Sequence, residues 1–421
     1  MAAEPVPSRP EATTVAIAGC GPAGALLGLM LAREGIDVLV LEKHADFFRD
    51  FRGDTIHPST LDVLDDLGLF EAFDRLPQRR THDLKAITDA GTATIADFRG
   101  LRLRHPYIAM VPQWDFLDFL TDEARRCPSF TLRLEAEVLE AVREGERVTG
   151  LRYRSVDGAV HEVRATLTVA ADGRDSAVRR SVGVAPRSFG APIDVQWFRL
   201  SRAPTDPDDT FGRLADGDFM AMINRTDYWQ IGYLIPKGSR GALEARGLEA
   251  FRARLAALLP FLADRVGEIE SWDDVRELEV QVNRLERWHR PGLLFVGDAA
   301  HAMSPIGGVG INLAIQDAVA AANLLAGPLR AGTLTTADLA RVRRRRLPAT
   351  ALIQGIQRVA QARLIRPALG RRGPFRPPRA LLALGRVDAV RRLPAWIIGT
   401  GVRPERPRVG LRAPERPRVP A

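Results

Sequence analysis

At 421 residues, 46% of them apolar and 27% charged, the chain is long enough to bury a large core in more than one layered unit. No apolar run approaches the ~18 residues that span a bilayer. The opening residues lack a signal-peptide core, and two cysteines, Cys20 and Cys127, offer neither a disulfide framework nor a metal cluster. These features point to a cytoplasmic protein. The net charge of +8 is uneven: 21 arginines against three acids give Arg341–Ala421 +18, which leaves −10 for the rest. A basic end is not a uniformly basic nucleic-acid-binding surface, so nucleic acid is not an expected partner.

Residues 1 to 12 read as loose. Thr14–Ala18 is an apolar β run, Gly19–Gly24 a glycine turn, Ala23–Glu34 a helix stopped by Gly35, and Val38–Leu41 a second buried strand. The turn spells GxGxxG. Gly19 permits the tight turn, Gly21 lets backbone approach a pyrophosphate, and Gly24, with Gly28, allows close helix packing. Pro22 and Ala23 open the helix, whose N-terminus offers free N–H groups and a positive dipole end to phosphates. Glu42 ends the second strand, where a carboxylate can accept ribose hydroxyls, with Lys43 beside it. An acid there suits FAD or NAD and disfavours the 2′-phosphate of NADP. The motif does not choose between FAD and NAD.

Further on, Thr60–Phe73 is helical in pattern, Thr92–Phe98 a weak strand and Trp114–Arg126 an amphipathic helix. Leu132–Tyr153 alternates as strands with a turn at Arg143–Glu146. Leu167–Ala171 is a buried strand that ends at Asp172-Gly173. From Ser188 to Val282 short alternating segments (Asp194–Leu200, Phe219–Ile223, Tyr228–Ile235) read as an antiparallel sheet with a helix, Leu243–Leu259, inside it. Leu293–Val296 returns to the buried type, and Ile311–Leu325 is a periodic helix. From Arg341 the chain reads as broken helical pieces. The hexamer PERPRV occurs twice, at Pro404–Val409 and Pro414–Val419, and reads as a flexible tail because of its prolines.

A second motif, Gly297-Asp298-Ala299-Ala300-His301, follows the Leu293–Val296 strand. Pro305 and then Gly307-Gly308-Val309-Gly310-Ile311-Asn312 come next, and a helix begins. A carboxylate at a strand end can bind a ribityl hydroxyl, and glycines permit flat backbone beside a planar ring. The helix start near Ile311 would aim its positive end at the ring. NAD needs none of this, so the second motif selects FAD.

GDAAH, the proline, GGVGIN and Asp317-Ala318 resemble the flavin signature of the single-component aromatic hydroxylases, the para-hydroxybenzoate hydroxylase type. Ala-Asp-Gly-Arg-Asp-Ser-Ala-Val-Arg, around Asp172 and Gly173, resembles a third motif of that family, which serves FAD and passing NAD(P)H. Arg174 and Arg179 match its basic positions. Arg52 falls where the family has an FAD-contacting arginine, and Gln113 where a glutamine contacts the cofactor.

The resemblance covers Thr14 to Gly327. It implies an α/β fold: a Rossmann-like FAD-binding domain with a parallel sheet, interleaved with an antiparallel-sheet substrate domain and C-terminal helices. The FAD-binding parts are expected at 13–80, 105–185 and 284–335. The substrate sheet is expected at 81–104 and 186–283, a helical region at 336–403 and the Arg/Pro-rich tail at 404–421. By the same resemblance, NADH or NADPH reduces FAD, reduced flavin captures O2, and a C4a-hydroperoxyflavin hydroxylates an aromatic, phenolic or quinoid substrate.

Trp197, Phe219, Met220, Met222 and Tyr233 are candidate walls of the substrate pocket, with ordinary sheet core as the alternative. His57 is a candidate for proton transfer, against a structural hydrogen bond in its loop. His301 reads as a structural partner, and no histidine spacing supports a metal site. Leu381–Val402 is read as packing on the FAD domain or a partner subunit, with an anionic membrane face as the alternative. Monomer and homodimer both remain open. The rival functions are a flavin-dependent halogenase, whose WxWxIP motif is absent (the nearest stretch runs from Trp229 to Pro236), an FAD-dependent reductase of the geranylgeranyl type, and a non-enzymatic interaction protein.

Overall fold

The first sheet is built from apolar strands buried on both faces, as parallel sheets require. In the computed structural model, which describes residues 11–48, 55–370, 373 and 388–408, its parallel core runs Leu293–Phe295, Val160–Ala170, Glu11–Ala18, Val38–Leu41 and Phe130–Arg133. Strands Glu137–Glu144 and Arg147–Arg154 extend Val160–Ala170 as an antiparallel meander. Alternation splits the core. Val15, Ile17, Val38, Val40 and Val169 face the helices Pro22–Arg33, Gln113–Arg125 and Gly310–Arg330. Ala16, Ala18, Leu39, Leu41 and Phe295 face the meander, with Leu151, Tyr153 and Trp288. Gly28 sets the helix spacing: a Cβ there would lie 2.9 Å from the Phe130 ring.

The second sheet has seven strands in the order Arg276–Leu278, Ile193–Ser201, Tyr228–Pro236, Asp218–Asn224, Phe211–Ala215, Asp83–Thr88 and Gly91–Asp97. Most neighbours are antiparallel; Phe211–Ala215 and Asp83–Thr88 run parallel. One face packs Phe198, Met220, Met222, Trp229, Ile231 and Tyr233 against Phe251, Leu255 and Leu258 of helix Leu248–Leu258. The other face turns toward the first sheet's loops.

Two predicted helices are each broken by a glycine in left-handed backbone. Thr60–Phe73 becomes Pro58–Asp66 and Phe70–Phe73, with Gly68 at φ 67° between them. Leu243–Leu259 becomes Arg240–Glu244 and Leu248–Leu258, parted by Gly247 at φ 87°. The opposite correction applies at the C-terminal side. The region read as broken pieces begins as one 25-residue helix, Thr336–Ala360, opened by a Thr335/Asp338 capping box. It runs on through a π turn, Gln361–Ile365. Pro348 is tolerated because it lies on the exposed face, where the carbonyl it leaves unpaired is solvated.

The first PERPRV copy is not loose either. Glu405 and Pro407 are buried, Arg345 Nε donates to Glu405 Oε1 at 2.7 Å, and Arg406 pairs with Asp62 and Asp66. These charged pairs hold a segment that its prolines keep out of helix and sheet. The second copy lies outside the described residues. Among the described residues one helical stretch, the turn at Ile306–Gly308 together with helix Gly310–Arg330, is long and apolar enough to cross a membrane by composition, but 78% of its apolar window is buried inside the fold.

Candidate flavin site

Four parallel strands end side by side. Ala18 is in register with both Leu41 and Ala170, and Ala170 with Phe295. The residues that follow them, Gly19, Asp172-Gly173, Glu42 and Gly297, therefore meet at one carboxyl edge of the sheet, where open α/β sheets bind ligands. The contacts are tight. A Cβ on Gly19 would lie 2.6 Å from the carbonyl oxygen of Ala171, and one on Gly24 would lie 2.1 Å from that of Gly19. Gly297 sits between Ala23 and Ala314, so the second motif packs on both helix starts.

Several observations test whether this edge suits FAD. Nothing lies within 4 Å of a Cβ built on Gly21, so the turn presents open space where a bound pyrophosphate would lie. Neither Pro22–Arg33 nor Gly310–Arg330 has a side-chain cap or a first-turn acid, which leaves first-turn N–H donors for an anion. Asp172 Oδ1 is buried and unpartnered among the described residues, and Oδ2 accepts from the Val178 N–H at 3.1 Å. Burial raises the Asp172 pKa against those hydrogen bonds. The donors, the acceptor and the open cradle fit the cofactor.

The remaining predicted residues take up distinct places. Glu42 accepts from Cys20 N at 3.0 Å and from His44 N at 3.3 Å, so its carboxylate is oriented by the turn itself. Lys43 is exposed. Gln113 is half-buried at the first position of its helix. Asp298 is half-buried and accepts from Arg174 Nε at 3.0 Å. Arg179 points inward instead: its Nη1 donates to the Ala299 carbonyl at 2.9 Å, tying the Asp172 segment to the Gly297 loop. Cys20 is buried, and burial, then Glu42, push its thiol far up, so it fills space. Arg52 lies outside the described residues.

At the end where the signature puts the flavin ring, Asn312 ties the loop down. Its Oδ1 accepts from His57 N at 3.1 Å and Thr60 Oγ1 at 2.7 Å, while Thr55 Oγ1 donates to the Gly308 carbonyl at 3.0 Å. Gly308 has φ 63°, and a Cβ there would lie 2.3 Å from Thr55 Oγ1. Pro305, Gly308, Gly310 and Ile311 thus form a loop clamped onto residues 55–60. His57 is fully buried, with Nδ1 2.7 Å from the Ile398 carbonyl. Burial drives its pKa down to about 4, with that carbonyl opposing. A neutral ring locked to backbone is a positioning group rather than a base poised near neutrality.

Sequence reasoning missed the support beneath this loop. His301 Nε2 and Asp317 Oδ2 are 2.5 Å apart, Arg346 Nε donates to Asp317 Oδ1 at 3.0 Å, and all three side chains are at most 1% exposed. Gly297 N also donates to Asp317. Burial opposes the Asp317 charge, but His301 and Arg346 outweigh it and hold the carboxyl below the usual range. His301 and Asp317 stood in the signature, whereas nothing in the pattern singled out Arg346 among its neighbouring arginines.

The five predicted wall residues separate by strand parity. Met220 and Met222 are fully buried and Tyr233 nearly so in the core against helix Leu248–Leu258, on the far face of the sheet. Trp197 and Phe219 lie on the near face, half-buried, packed with Leu234 and with Ile306 of the flavin loop.

A family described as FAD binding domain matches residues 12–354. The chain belongs to that family. The 6-methylpretetramide 4-monooxygenase of Streptomyces rimosus is 36% identical over 385 residues, 90% of each chain. The solved OxyS anhydrotetracycline hydroxylase of the same species superposes with a TM-score of 0.72 at 25% identity, covering 92% of this chain and 76% of that one. A myxobacterial chondrochloren halogenase, an FAD-dependent enzyme, superposes with a TM-score of 0.72 over 93% of each chain. At 22% identity it shares the fold alone. The protein is an FAD-dependent oxidoreductase with a Rossmann-like cofactor domain.

Proposed function

We propose that the enzyme uses NAD(P)H and O2 to hydroxylate a flat, multi-ring phenolic or quinoid molecule held between the flavin loop and the second sheet. Segments 13–80, 105–185 and 284–335 would hold FAD, and 81–104 and 186–283 would seat the substrate. One observation carries the substrate reading. On the near face of the second sheet, Gly232, Ala221, Gly212, Ala86 and Ala93 stand opposite one another across five strands. Two apolar clusters flank this row. One holds Leu234, Phe219 and Ile306; the other holds Ile223, Met110, Ala395 and Ile398. The Phe219 ring lies over Gly212 and the Trp197 ring over Gly232, so the row is a trough floored partly by aromatic rings between apolar banks, suited to a flat ring rather than a chain. Its bank at Ile306 belongs to the flavin loop, so a plate in the trough lies beside the ring site. The multi-ring compounds in the relatives' names suit such a seat.

FAD, once bound, supplies the oxygen-activating chemistry. The chain's own groups do the rest. The Gly19–Gly24 turn and the uncapped start of Pro22–Arg33 would take the phosphates, and Asp298 the ribityl chain. The start of Gly310–Arg330 would turn its positive dipole end to the bound cofactor, which favours negative charge there. Trp197, Phe219 and Ile306 exclude water from the trough. Two free thiols and a reaction fed by NAD(P)H fit a cytoplasmic setting.

The test is NADH and NADPH oxidation by the holoenzyme, with oxygen uptake, on adding 6-methylpretetramide, anhydrotetracycline or simple phenols. The expected result is stimulation by the tetracyclic compounds with matched oxygen consumption. Stimulation by single-ring phenols alone, or by none of them, would refute the proposed seat.

A further inference from the structure

On the near face of the second sheet, Gln230 carries an amide NH2 that meets no acceptor among the described residues. Gln230 is only 4% exposed. It stands opposite Ile223 and Arg199, two residues along the strand from Gly232, and so at the bank of the trough. Its Oε1 accepts from Arg225 Nε at 3.1 Å. A guanidinium carries only donors, so the amide oxygen must face it, and the orientation of the amide follows. The amide NH2 is thereby sent away from Arg225. Gln230 Nε2 is buried and meets no acceptor among the described residues. Buried donors are rarely left so, because desolvation is not repaid. At the end of the same row the Trp197 ring covers Gly232, and its indole N–H is likewise buried without an acceptor.

We propose that Gln230 is a specificity-determining residue: its NH2 donates to a carbonyl or phenolate oxygen on the edge of the fused-ring substrate. Trp197 offers a second donor to the same molecule. Arg225, itself nearly buried, is a positioning residue that acts through Gln230 by fixing the amide. This assignment rests on the seat proposed above, and it adds a chemical requirement. The ligand must present an oxygen acceptor, not a donor, at the bank nearest the Asn224–Tyr228 turn. A flat hydrocarbon of the same outline would leave both N–H groups unpaired and would be rejected.

The experiment titrates holoenzyme with 6-methylpretetramide and with anhydrotetracycline, following the flavin absorbance. It compares wild type with Gln230→Leu, Gln230→Glu and Ala221→Leu, and measures FAD content in each. Gln230→Leu is expected to keep its FAD and to weaken binding of the tetracyclic probe about tenfold or more. Gln230→Glu should weaken it further, because a carboxylate presents an acceptor to an acceptor. Ala221→Leu fills the trough floor and should abolish binding. Should Gln230→Leu fail to hold FAD, Gln230→Met is read in its place. Wild-type affinity in Gln230→Leu, with binding lost in Ala221→Leu, would overturn the assignment and leave the seat standing. Wild-type affinity in both variants, or no binding of either probe by the wild type, would overturn seat and assignment together.

Discussion

Gly21 and Gly24 sit three residues apart in one turn, yet substitution by alanine should affect them in opposite ways. Gly24 is in regular helix, but its added methyl would stand 2.1 Å from the Gly19 carbonyl oxygen, well inside the ~3.5 Å of ordinary non-bonded contact. The obstacle is backbone, which cannot rotate away. Overpacking of this kind costs about 1–3 kcal/mol, and a rigid partner argues for the upper end. Gly21 has φ −71° and ψ −177°, which alanine adopts freely, and no protein atom lies near its Cβ position. Its replacement should change apoprotein stability by less than about 0.5 kcal/mol. The methyl would instead occupy the approach to the pyrophosphate. Losing one charge-assisted hydrogen bond there costs about 1.5–3 kcal/mol, or roughly ten- to a hundredfold in FAD affinity. Chemical denaturation of the apoprotein and FAD titration by fluorescence quenching separate the two effects. Gly21→Ala with wild-type FAD affinity would refute the assignment of this turn to the pyrophosphate. Gly24→Ala with wild-type stability would refute the packing argument.

The other perturbations test the support of the site. Asp317→Asn strands the buried Arg346 guanidinium and should cost about 3–5 kcal/mol. Because Asp317 titrates below the ordinary 3.8, its contribution is complete above about pH 4 and lost as pH falls through its folded value; denaturation midpoints down to pH 2.5 check this. His57 behaves with the opposite charge type. The unfolded ring takes a proton near 6.5 and the folded ring only near 4, so stability is full above 6.5 and falls by roughly 3 kcal/mol as pH drops to 4. His57→Asn, which keeps a donor for Ile398, should flatten that slope, and an unchanged slope would contradict it. Glu405→Ala removes a carboxylate that is 5% exposed beside Arg345 and Arg346 and should lower stability by about 2 kcal/mol. Arg406→Ala, at a pair 46% exposed on the arginine side, should change it by less than about 1 kcal/mol. Equal losses at the two sites would refute the burial argument.

The flavin edge was legible in the sequence because each of its parts is local. A strand end, a glycine turn and a helix start occupy a dozen residues, and their chemistry does not depend on distant neighbours. Parallel register then forces Gly19, Asp172 and Gly297 together. The proposed substrate face was only half legible, since parity decides which residues look inward. Met220 and Met222 flank Ala221 in sequence but point to the opposite side of the sheet. Trp197 and Phe219 were found as large apolar residues, whereas Gly232 and Gly212 matter by giving their rings room. Gln230 escaped notice because its meaning lies in an unpaired N–H and a cross-turn arginine. At the C-terminal side, Pro348 and the PERPRV prolines signal disruption locally. Solvent exposure of Pro348 and ion pairs to Arg345 and Asp66 override them, and such pairings at long range leave no periodic trace.

Turnover under 18O2 is the most direct test of monooxygenation. Holoenzyme, NAD(P)H and a tetracyclic substrate that stimulates oxidation should yield a product heavier by one 18O atom, with none acquired from labelled water. Product formed without O2, or carrying halide instead of oxygen, would contradict it.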